Sequence, residues 1–185
     1  MISLARPAIL AAEAPSKSGS PLMAFEHSLA VRNALIAEAE ERLALAGNQA
    51  AVIETVREHA RGICGSDGIT FVLREGDMCH YVEEDAIGPL WKGQKFPLSV
   101  CISGWAMLHG ETAVIEDVFA DPRIPYDAYL PTFVKSLIMT PVGKRNVAAI
   151  GAYWKTKRQF TDLEVMTIKT FSAVVGGALS ELLTA

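Results

Sequence analysis

The stretch that decides the fold of this chain begins with PLSVCISGWA at residues 97–106 and continues with TAVIEDV at residues 112–118. The first segment predicts a short helix that Gly110 ends, because glycine readily adopts the left-handed backbone of a helix end. The second segment alternates apolar and polar residues, which predicts a β-strand. Two further strands are predicted at residues 136–142 and 147–153, so the short helix is inserted between strands.

The remaining elements extend this pattern toward both ends of the chain. Residues 69–74 and 78–83 have strand character and are separated by a Glu-Gly-Asp turn, which predicts a hairpin. A proline-interrupted irregular stretch occupies residues 120–131. Thr161 and Glu164 have the spacing of a capping box at the start of the last helix. Hairpins and helices in this order predict an α+β fold, in which an antiparallel sheet carries its helices on one face.

The sequence divides into three parts. Residues 1–21 end in a segment rich in Pro, Gly and Ser and predict a mobile leader. Residues 22–47 predict an amphipathic helix with a narrow apolar stripe that repeats every seven positions. The residues of this stripe are Leu22, Leu29, Ile36 and Leu43. The stripe fits a partner helix in a dimer as well as the core of the same chain, and both alternatives stay open. Residues 48–185 are the predicted domain proper, in which Asn48 caps a second helix.

Composition and charge exclude several classes of function. With 17 Lys and Arg against 21 Asp and Glu, the net charge is −4, and the chain lacks the basic surface that nucleic acid requires. Charges interrupt every apolar run before it reaches the roughly 18 residues of a membrane span, so we expect no membrane association. The cysteines Cys64, Cys79 and Cys101 have no Cys-x-x-Cys spacing, which indicates reduced thiols in a cytoplasmic protein.

Together these segments resemble a GAF domain, and in particular the GAF sensor modules that precede bacterial histidine kinases. The residues that carry the resemblance are 97–106, 112–118, 121–123, 134–137, 141–142, 150–151 and 160–162. The resemblance implies an antiparallel sheet of five or six strands, with helices on one face and a capped small-molecule pocket on the other. It also implies a homodimer formed through helices at the two chain ends. No kinase follows residue 185, so we expect any output to pass to a separate signalling protein, such as a histidine kinase.

The resemblance places the pocket beside the irregular stretch, where bulky side chains gather and Asp117 adds a charge that can orient a polar ligand. The candidate ligand-binding residues are Trp105, Asp117, Phe119, Tyr126, Tyr129, Phe133 and Met139. Core packing is the alternative role for the aromatic residues among them. For the neighbouring Asp121 and Arg123, the alternative is a capped turn with a local ion pair. We expect the ligand to be a small organic molecule, and the sequence identifies no cofactor or metal.

Cysteine chemistry defines a second line of interpretation. Cys79 and His80 are adjacent in a predicted strand and point to opposite faces, so they do not share a metal. Residues 87–93 look like a Gly-Pro segment of free methionine-(R)-sulfoxide reductases, which are stand-alone GAF proteins. Such an enzyme needs a nucleophilic cysteine and a second thiol within reach. Only Cys101 falls near a matching position, so we expect it to be a small buried residue instead.

The sequence therefore favours a non-catalytic, cytoplasmic, bacterial GAF module that senses a small molecule and dimerises through its terminal helices. One alternative is a degenerate scaffold, whose pocket is filled by its own side chains and whose task is protein association. The other alternative is an enzyme similar to the free methionine-(R)-sulfoxide reductases.

Overall fold

The computed structural model describes the backbone of residues 21–182 and the side chains of residues 29–182. Its strands are β1 (Gly68–Glu75), β2 (Met78–Ala86), β3 (Lys95–Pro97), β4 (Ala113–Ile115), β5 (Ser136–Val142) and β6 (Ala148–Trp154). They form one sheet in the order β3-β2-β1-β6-β5-β4, and every neighbouring pair is antiparallel. The predicted α+β class and the antiparallel sheet of five or six strands are confirmed.

The helices of the described residues are α1 (Pro21–Ala44), α2 (Gln49–Cys64), α3 (Ile102–His109), α4 (Tyr126–Tyr129) and α5 (Asp162–Leu182), and one 3₁₀ turn (Leu98–Val100) precedes α3. The predicted leader, residues 1–21, lies outside the described residues except for Pro21, where α1 begins. Strand β3 and helix α4 were not predicted. They are three and four residues long, too short for a periodic pattern to show in the sequence.

Helices α2 and α5 pack on one face of the sheet, and α1 packs against these two helices. Val56 and Ile63 of α2 and Phe171 and Val175 of α5 are fully buried against β1, β5 and β6. Burying one such side chain stabilises the fold by roughly 1.5–3 kcal/mol. The apolar stripes of α2 and α5 therefore account for the attachment of the helices to the sheet.

Both predicted helix caps are present. The Asn48 side chain accepts a hydrogen bond from the backbone N–H of Ala51 at 2.9 Å. At the start of α5, Thr161 Oγ1 accepts from the Glu164 N–H at 3.3 Å, while Glu164 Oε2 accepts from the Thr161 N–H at 2.9 Å. Each cap satisfies backbone donors that the first turn of a helix leaves free. These caps confirm where α2 and α5 begin.

The apolar side chains of α1 differ in burial along the helix. Ala39 and Leu43 are buried in the core of the same chain, and Ile36 is half-buried against it. Leu29 is also half-buried, whereas the side chain of Leu22 lies outside the described residues. The C-terminal half of α1 therefore serves its own domain, and only the N-terminal half remains a candidate for a partner helix.

Helix α5 also bears on the expected absence of a membrane span. It is the one helix among residues 21–182 that is long and apolar enough to cross a membrane by length and composition, with a mean hydropathy of 1.2. Counting uninterrupted apolar runs misses it, because Lys169 divides the helix while its average remains apolar. In this fold its stripe of Ile168, Phe171 and Val175 is buried on the sheet.

Two glycines allow backbone segments to touch without an intervening side chain. A Cβ atom at Gly104 in α3 would lie 1.9 Å from the carbonyl oxygen of Leu98, so α3 rests directly on the 3₁₀ turn. A Cβ atom at Gly176 in α5 would lie 2.6 Å from the backbone nitrogen of Gly143, in the turn between β5 and β6. The first contact fixes the start of α3 above the face of the sheet that the long helices leave free.

Candidate functional site

A cavity of about 270 Å³ lies between β2 and the short elements that cap this second face of the sheet. The cap consists of the 3₁₀ turn, the start of α3, helix α4 and the loop after β2. The residues that line the cavity are Tyr81, Trp91, Phe96, Val100, Cys101, Ile102, Pro125, Asp127, Ala128 and Tyr129. Most of the lining is apolar, and Asp127 contributes an exposed carboxylate.

Four aromatic rings form the walls of the cavity and hold one another in place. The ring centroids of Trp91 and Tyr129 are 4.8 Å apart, and those of Tyr81 and Trp91 are 5.7 Å apart in an edge-to-face arrangement. Phe96 meets Tyr81 edge-on at 5.6 Å. Such pairs stabilise by about 0.5–1.5 kcal/mol beyond the area they bury. The walls are therefore formed before any ligand arrives.

The Glu84 carboxylate fixes the loop that carries Trp91. It accepts hydrogen bonds from the backbone N–H groups of Leu90, Trp91 and Lys92, at 3.1, 2.9 and 2.9 Å. A carboxylate that accepts several backbone donors is a strong, charge-assisted anchor. Because Glu84 lies on β2, the Trp91 wall is attached to the same strand that supplies Tyr81.

A line of hydroxyl and thiol groups runs from Tyr81 through the buried Ser103 to Cys101, and its two end residues line the cavity. The Tyr81 hydroxyl lies 2.9 Å from Ser103 Oγ, and Ser103 Oγ lies 3.2 Å from Cys101 Sγ. When protonated, the Cys101 thiol donates to the Pro97 carbonyl at 3.5 Å. Burial raises the pKa of Tyr81 well above its usual value, so its phenol remains protonated.

The thiol of Cys79 also acts on Cys101. It is the main cause that lowers the pKa of Cys101, aided by Ser103 and by the backbone N–H groups of Ser103 and Gly104. Cys101 in turn raises the pKa of Cys79, as does the burial of Cys79. The favoured charged form of the pair is therefore a Cys101 thiolate beside a protonated Cys79. Cys101 was expected to be only a small buried residue, and that expectation did not foresee the neighbouring Cys79.

Of the seven candidate ligand-binding residues, Tyr129 lines the cavity. Met139 is fully buried in the core of the same face. Trp105 stacks on His109 with ring centroids 4.6 Å apart, and the Arg123 guanidinium lies 4.5 Å from its centroid. Trp105 is therefore part of the outer surface of α3, away from the cavity lining.

The other four candidates also lie around the cap, outside the cavity lining. Asp117 accepts a hydrogen bond from the Phe119 N–H at 3.0 Å and pairs with Lys157 at 2.5 Å, and these bonds lower the pKa of its carboxyl. Phe119 meets Tyr126 edge-on at 5.2 Å, and Tyr126 is 55% exposed. Phe133 is partly buried near Gly68 and Gly88 at the far end of β1. The structure does not bring these four side chains together around one space.

Asp121 and Arg123 adopt the arrangement of the capped-turn alternative. The Asp121 carboxylate accepts from the Arg123 N–H at 2.9 Å, and both of its oxygens pair with the Arg123 guanidinium. That guanidinium is the main cause that lowers the pKa of Asp121. The charged groups of this ion pair bond to each other, so they are not free to bind a ligand.

Sequence reasoning missed Tyr81, Trp91 and Phe96 as wall residues. Tyr81 lies on β2 two positions after Cys79, so strand alternation places both on the face that carries the cap. Trp91 and Phe96 follow in the loop and strand that return over β2. The available signal was the alternation of side chains between the two faces of β2, which was applied only to Cys79 and His80. His80 indeed points elsewhere, because its Nδ1 lies 2.7 Å from Glu75.

A larger groove of about 890 Å³ runs between β4, the turn after β5 and helix α5. It is open to solvent, and its rim carries Glu111, Lys144 and Lys169. The groove lies away from the cap and contains none of the cysteines or wall residues. The smaller cavity is therefore the better candidate for a small-molecule site.

Comparison with known proteins supports this reading of the fold. The free methionine-R-sulfoxide reductase of Neisseria meningitidis, solved with its substrate, has a TM-score of 0.70 and 16% identity, covering 92% of this chain and 98% of that one. The GAF domain of a phosphoenolpyruvate-protein phosphotransferase from Coxiella burnetii has a TM-score of 0.72 and 9% identity, covering 84% and 96%. The corresponding domain from Acinetobacter has a TM-score of 0.69 and 12% identity, covering 83% and 95%. At such identities the similarity shows the fold alone.

The sheet, its one-sided helices and the capped cavity define an α+β domain, and a fold of this kind supports a sensor or signalling role in general. A direct sequence comparison with curated proteins finds no match. The family model described as the GAF domain matches residues 47–180, which is most of the chain. The chain belongs to the GAF domain family.

Proposed function

We propose that this GAF domain is a non-catalytic sensor that holds a small organic molecule between β2 and its cap. The observation that carries the proposal is the cavity of about 270 Å³ with four aromatic wall residues. Cavities that hold drug-sized ligands have volumes of about 300 Å³ or more, so this cavity suits a somewhat smaller molecule. A degenerate scaffold would have filled the same space with its own side chains.

The walls indicate the chemistry of the ligand. Trp91, Tyr129 and Phe96 offer apolar faces and edges, which favour a planar or largely apolar molecule. Besides the tyrosine hydroxyls, the polar groups of the lining are the Cys101 thiol and the Asp127 carboxylate at one side. A ligand with an apolar body and a single polar group fits this distribution.

Signal transfer in this proposal runs from the cap through the sheet to the terminal helices, α1 and α5, which also form the homodimer. Support comes from exposed apolar side chains on both helices. Val31 is 46% exposed on α1, and Met166 is 63% exposed on α5. Ligand binding changes the output only if it favours one arrangement of these helices over another. The recipient in this proposal is a separate signalling protein, such as a histidine kinase.

Mass spectrometry of the protein purified from its own host tests ligand binding. A retained small molecule, released on unfolding, is the expected result. Ala128→Phe places a ring into the cavity and should abolish retention. Ala50→Phe, at an exposed position near the start of α2, is the matched control and should retain the molecule. A parent protein that never carries a molecule, and never binds one in a screen, would favour the scaffold.

The proposed dimer has its own measurement. Val31→Glu introduces a charge at an exposed position of α1, so the domain itself should fold unchanged. Light scattering should report a dimer for the parent and a monomer for the variant. An unchanged mass in the variant would remove this part of α1 from the interface.

A second candidate function is a reductase similar to the free methionine-R-sulfoxide reductases. The specific observation in its favour is the second thiol, because Cys79 lies in the same buried cluster as Cys101, which lines the cavity. Turnover of free methionine-R-sulfoxide with a dithiol reductant tests it. Loss of that turnover in Cys101→Ser would establish the activity, and no turnover in the parent would end this candidate.

A further inference from the structure

The fold brings Cys79 and Cys101 together from two separate elements. Cys79 lies on β2 and is fully buried, while Cys101 is the residue immediately before α3 and lines the cavity. Strand β3 explains their meeting, because it pairs Phe96 with Cys79 and Pro97 with Met78. The 3₁₀ turn after Pro97 then returns the chain over β2. Cys101 therefore lies above the strand that carries Cys79.

We propose that Cys79 and Cys101 form a peroxide-reactive thiol pair, which a small hydroperoxide converts into an intramolecular disulfide. Both side chains lie in the same buried cluster, and Cys101 Sγ lies 3.5 Å from the carbonyl oxygen of Pro97, which is paired with Met78 next to Cys79. The two sulfur atoms must then approach to the disulfide length of about 2.0 Å. The cavity gives a water-sized oxidant access to Cys101. This proposal does not depend on the identity of the sensed ligand.

The surroundings assign different roles to the two thiols. Cys101 is the residue immediately before α3, at the positive end of the helix dipole, and Ser103 Oγ lies 3.2 Å from its sulfur. These groups and Cys79 lower the pKa of Cys101. Cys79 does not line the cavity and keeps its proton. Cys101 is therefore the nucleophile and Cys79 the resolving thiol.

The chemistry balances in two steps. The Cys101 thiolate attacks one oxygen of the hydroperoxide, the O–O bond breaks, and the departing alkoxide or hydroxide takes a proton from water. Cys101 is now a sulfenic acid, oxidised by two electrons. The Cys79 sulfur then attacks the Cys101 sulfur, the S–O bond breaks, and the oxygen leaves as water with the Cys79 proton. An external dithiol returns the pair to its reduced form.

Cys64 provides a control within the same molecule. It is buried on the opposite face of the sheet, at the end of α2, and belongs to the other core cluster. Burial raises the pKa of Cys64 to about 12, so it is held as an unreactive thiol. Cys64 is thus a buried cysteine without a thiol partner, and it serves as an internal control in every experiment.

Peptide mapping after exposure to one equivalent of hydrogen peroxide tests the proposal. Trypsin separates the three cysteines, because Arg74 and Lys92 lie between them in the sequence. The expected product is a loss of about 2 Da and a cross-linked peptide pair that contains Cys79 and Cys101. Cys64 should remain reduced and react at least about tenfold more slowly than Cys101.

Three variants make the outcome decisive. Cys79→Ala should trap the Cys101 sulfenic acid as a dimedone adduct, Cys101→Ala should abolish oxidation, and Cys64→Ala should behave as the parent does. A disulfide that includes Cys64 or joins two chains would overturn the proposal, and so would equal oxidation rates for Cys64 and Cys101. Oxidation by free methionine sulfoxide but not by peroxide would replace it with the reductase function.

Discussion

The hydroxyl of Tyr81 on β2 lies 2.9 Å from the hydroxyl of Ser103 on α3, and both groups are buried. This hydrogen bond joins the sheet to the cap beside the cavity. Ser103 also lies 3.2 Å from Cys101 Sγ, so the same serine connects an aromatic wall to the thiol of Cys101. The position of α3 above the sheet and the environment of Cys101 therefore depend on one phenol.

Removing that phenol should weaken the attachment of the cap. Tyr81→Phe keeps the ring that packs on Trp91 and Phe96 but leaves Ser103 without its strongest partner, and we expect a loss of about 1–2 kcal/mol in the free energy of unfolding. Urea unfolding measures the change. Tyr126→Phe is the matched control, because Tyr126 is 55% exposed, and it should alter stability by less than about 0.5 kcal/mol. Equal effects of the two variants would contradict a role for the Tyr81–Ser103 bond.

Two adjacent glycines of α5 should respond in opposite directions to the same substitution. In Gly176→Ala the new methyl group would lie 2.6 Å from the backbone nitrogen of Gly143, which cannot move aside, so the variant should be strongly destabilised by roughly 2–4 kcal/mol. In Gly177→Ala nothing lies within 4 Å, and the better helix propensity of alanine should stabilise the fold by up to about 1 kcal/mol. Thermal unfolding of both variants checks the pair. A destabilised Gly177→Ala would show that α5 has less space than described.

The Glu84 anchor should matter more than the neighbouring carboxylate on β2. Glu84→Ala leaves the N–H groups of Leu90, Trp91 and Lys92 without their acceptor, and we expect a loss of about 1–3 kcal/mol together with red-shifted tryptophan emission. Asp85→Ala removes only a surface ion pair with Arg61, which is worth about 0–1 kcal/mol. Fluorescence-detected unfolding compares them. An unshifted emission spectrum in Glu84→Ala would mean that Trp91 does not need this anchor.

Alkylation by iodoacetamide should show the acidic thiol directly. Because the pKa of Cys101 is lowered, its thiolate is present below the pH at which an ordinary thiol, with a pKa of about 8.5, ionises. Labelling of Cys101 should therefore begin at lower pH than labelling of free glutathione, and Cys64 should stay unlabelled in the folded protein. Mass spectrometry across a pH series measures both.

In the same pH series, the Cys79→Ala variant should shift the labelling of Cys101 in a defined direction. Cys79→Ala removes the hydrogen-bond donor that contributes most to lowering the pKa of Cys101, so the thiolate loses stabilisation and its labelling midpoint should move to higher pH. A midpoint that stays in place would assign the acidity of Cys101 to Ser103 and the helix start instead.

The framework of the fold could be predicted from the sequence because its signals are local. Asn48 and the Thr161–Glu164 box mark helix starts through side chains that bond within one turn, and both are found where predicted. The β1–β2 hairpin has its glycine turn where expected, with Gly76 in the left-handed region at a φ of 61°. The antiparallel pairing of β1 with β2 and of β5 with β6 follows from such short connections.

The site was less accessible from the sequence, because it depends on which residues the cap brings over β2. Aromatic residues near the irregular stretch were grouped by their closeness in sequence, yet Phe119 and Tyr126 pack on each other outside the cavity. The walls instead come from β2 and the loop after it, through Tyr81 and Trp91. The contact between Cys79 and Cys101 depends on β3, a strand of three residues that no periodic pattern reveals.

The touching backbones of Gly176 and Gly143 have a mechanical consequence. Most of the α5 interface with the sheet is made by side chains, which can absorb small shifts by changing rotamer, but at this one contact no side chain intervenes. The turn joins β5 and β6, and α3 rests on these two strands from the opposite side. At this point a displacement of the turn therefore moves the backbone of α5 directly.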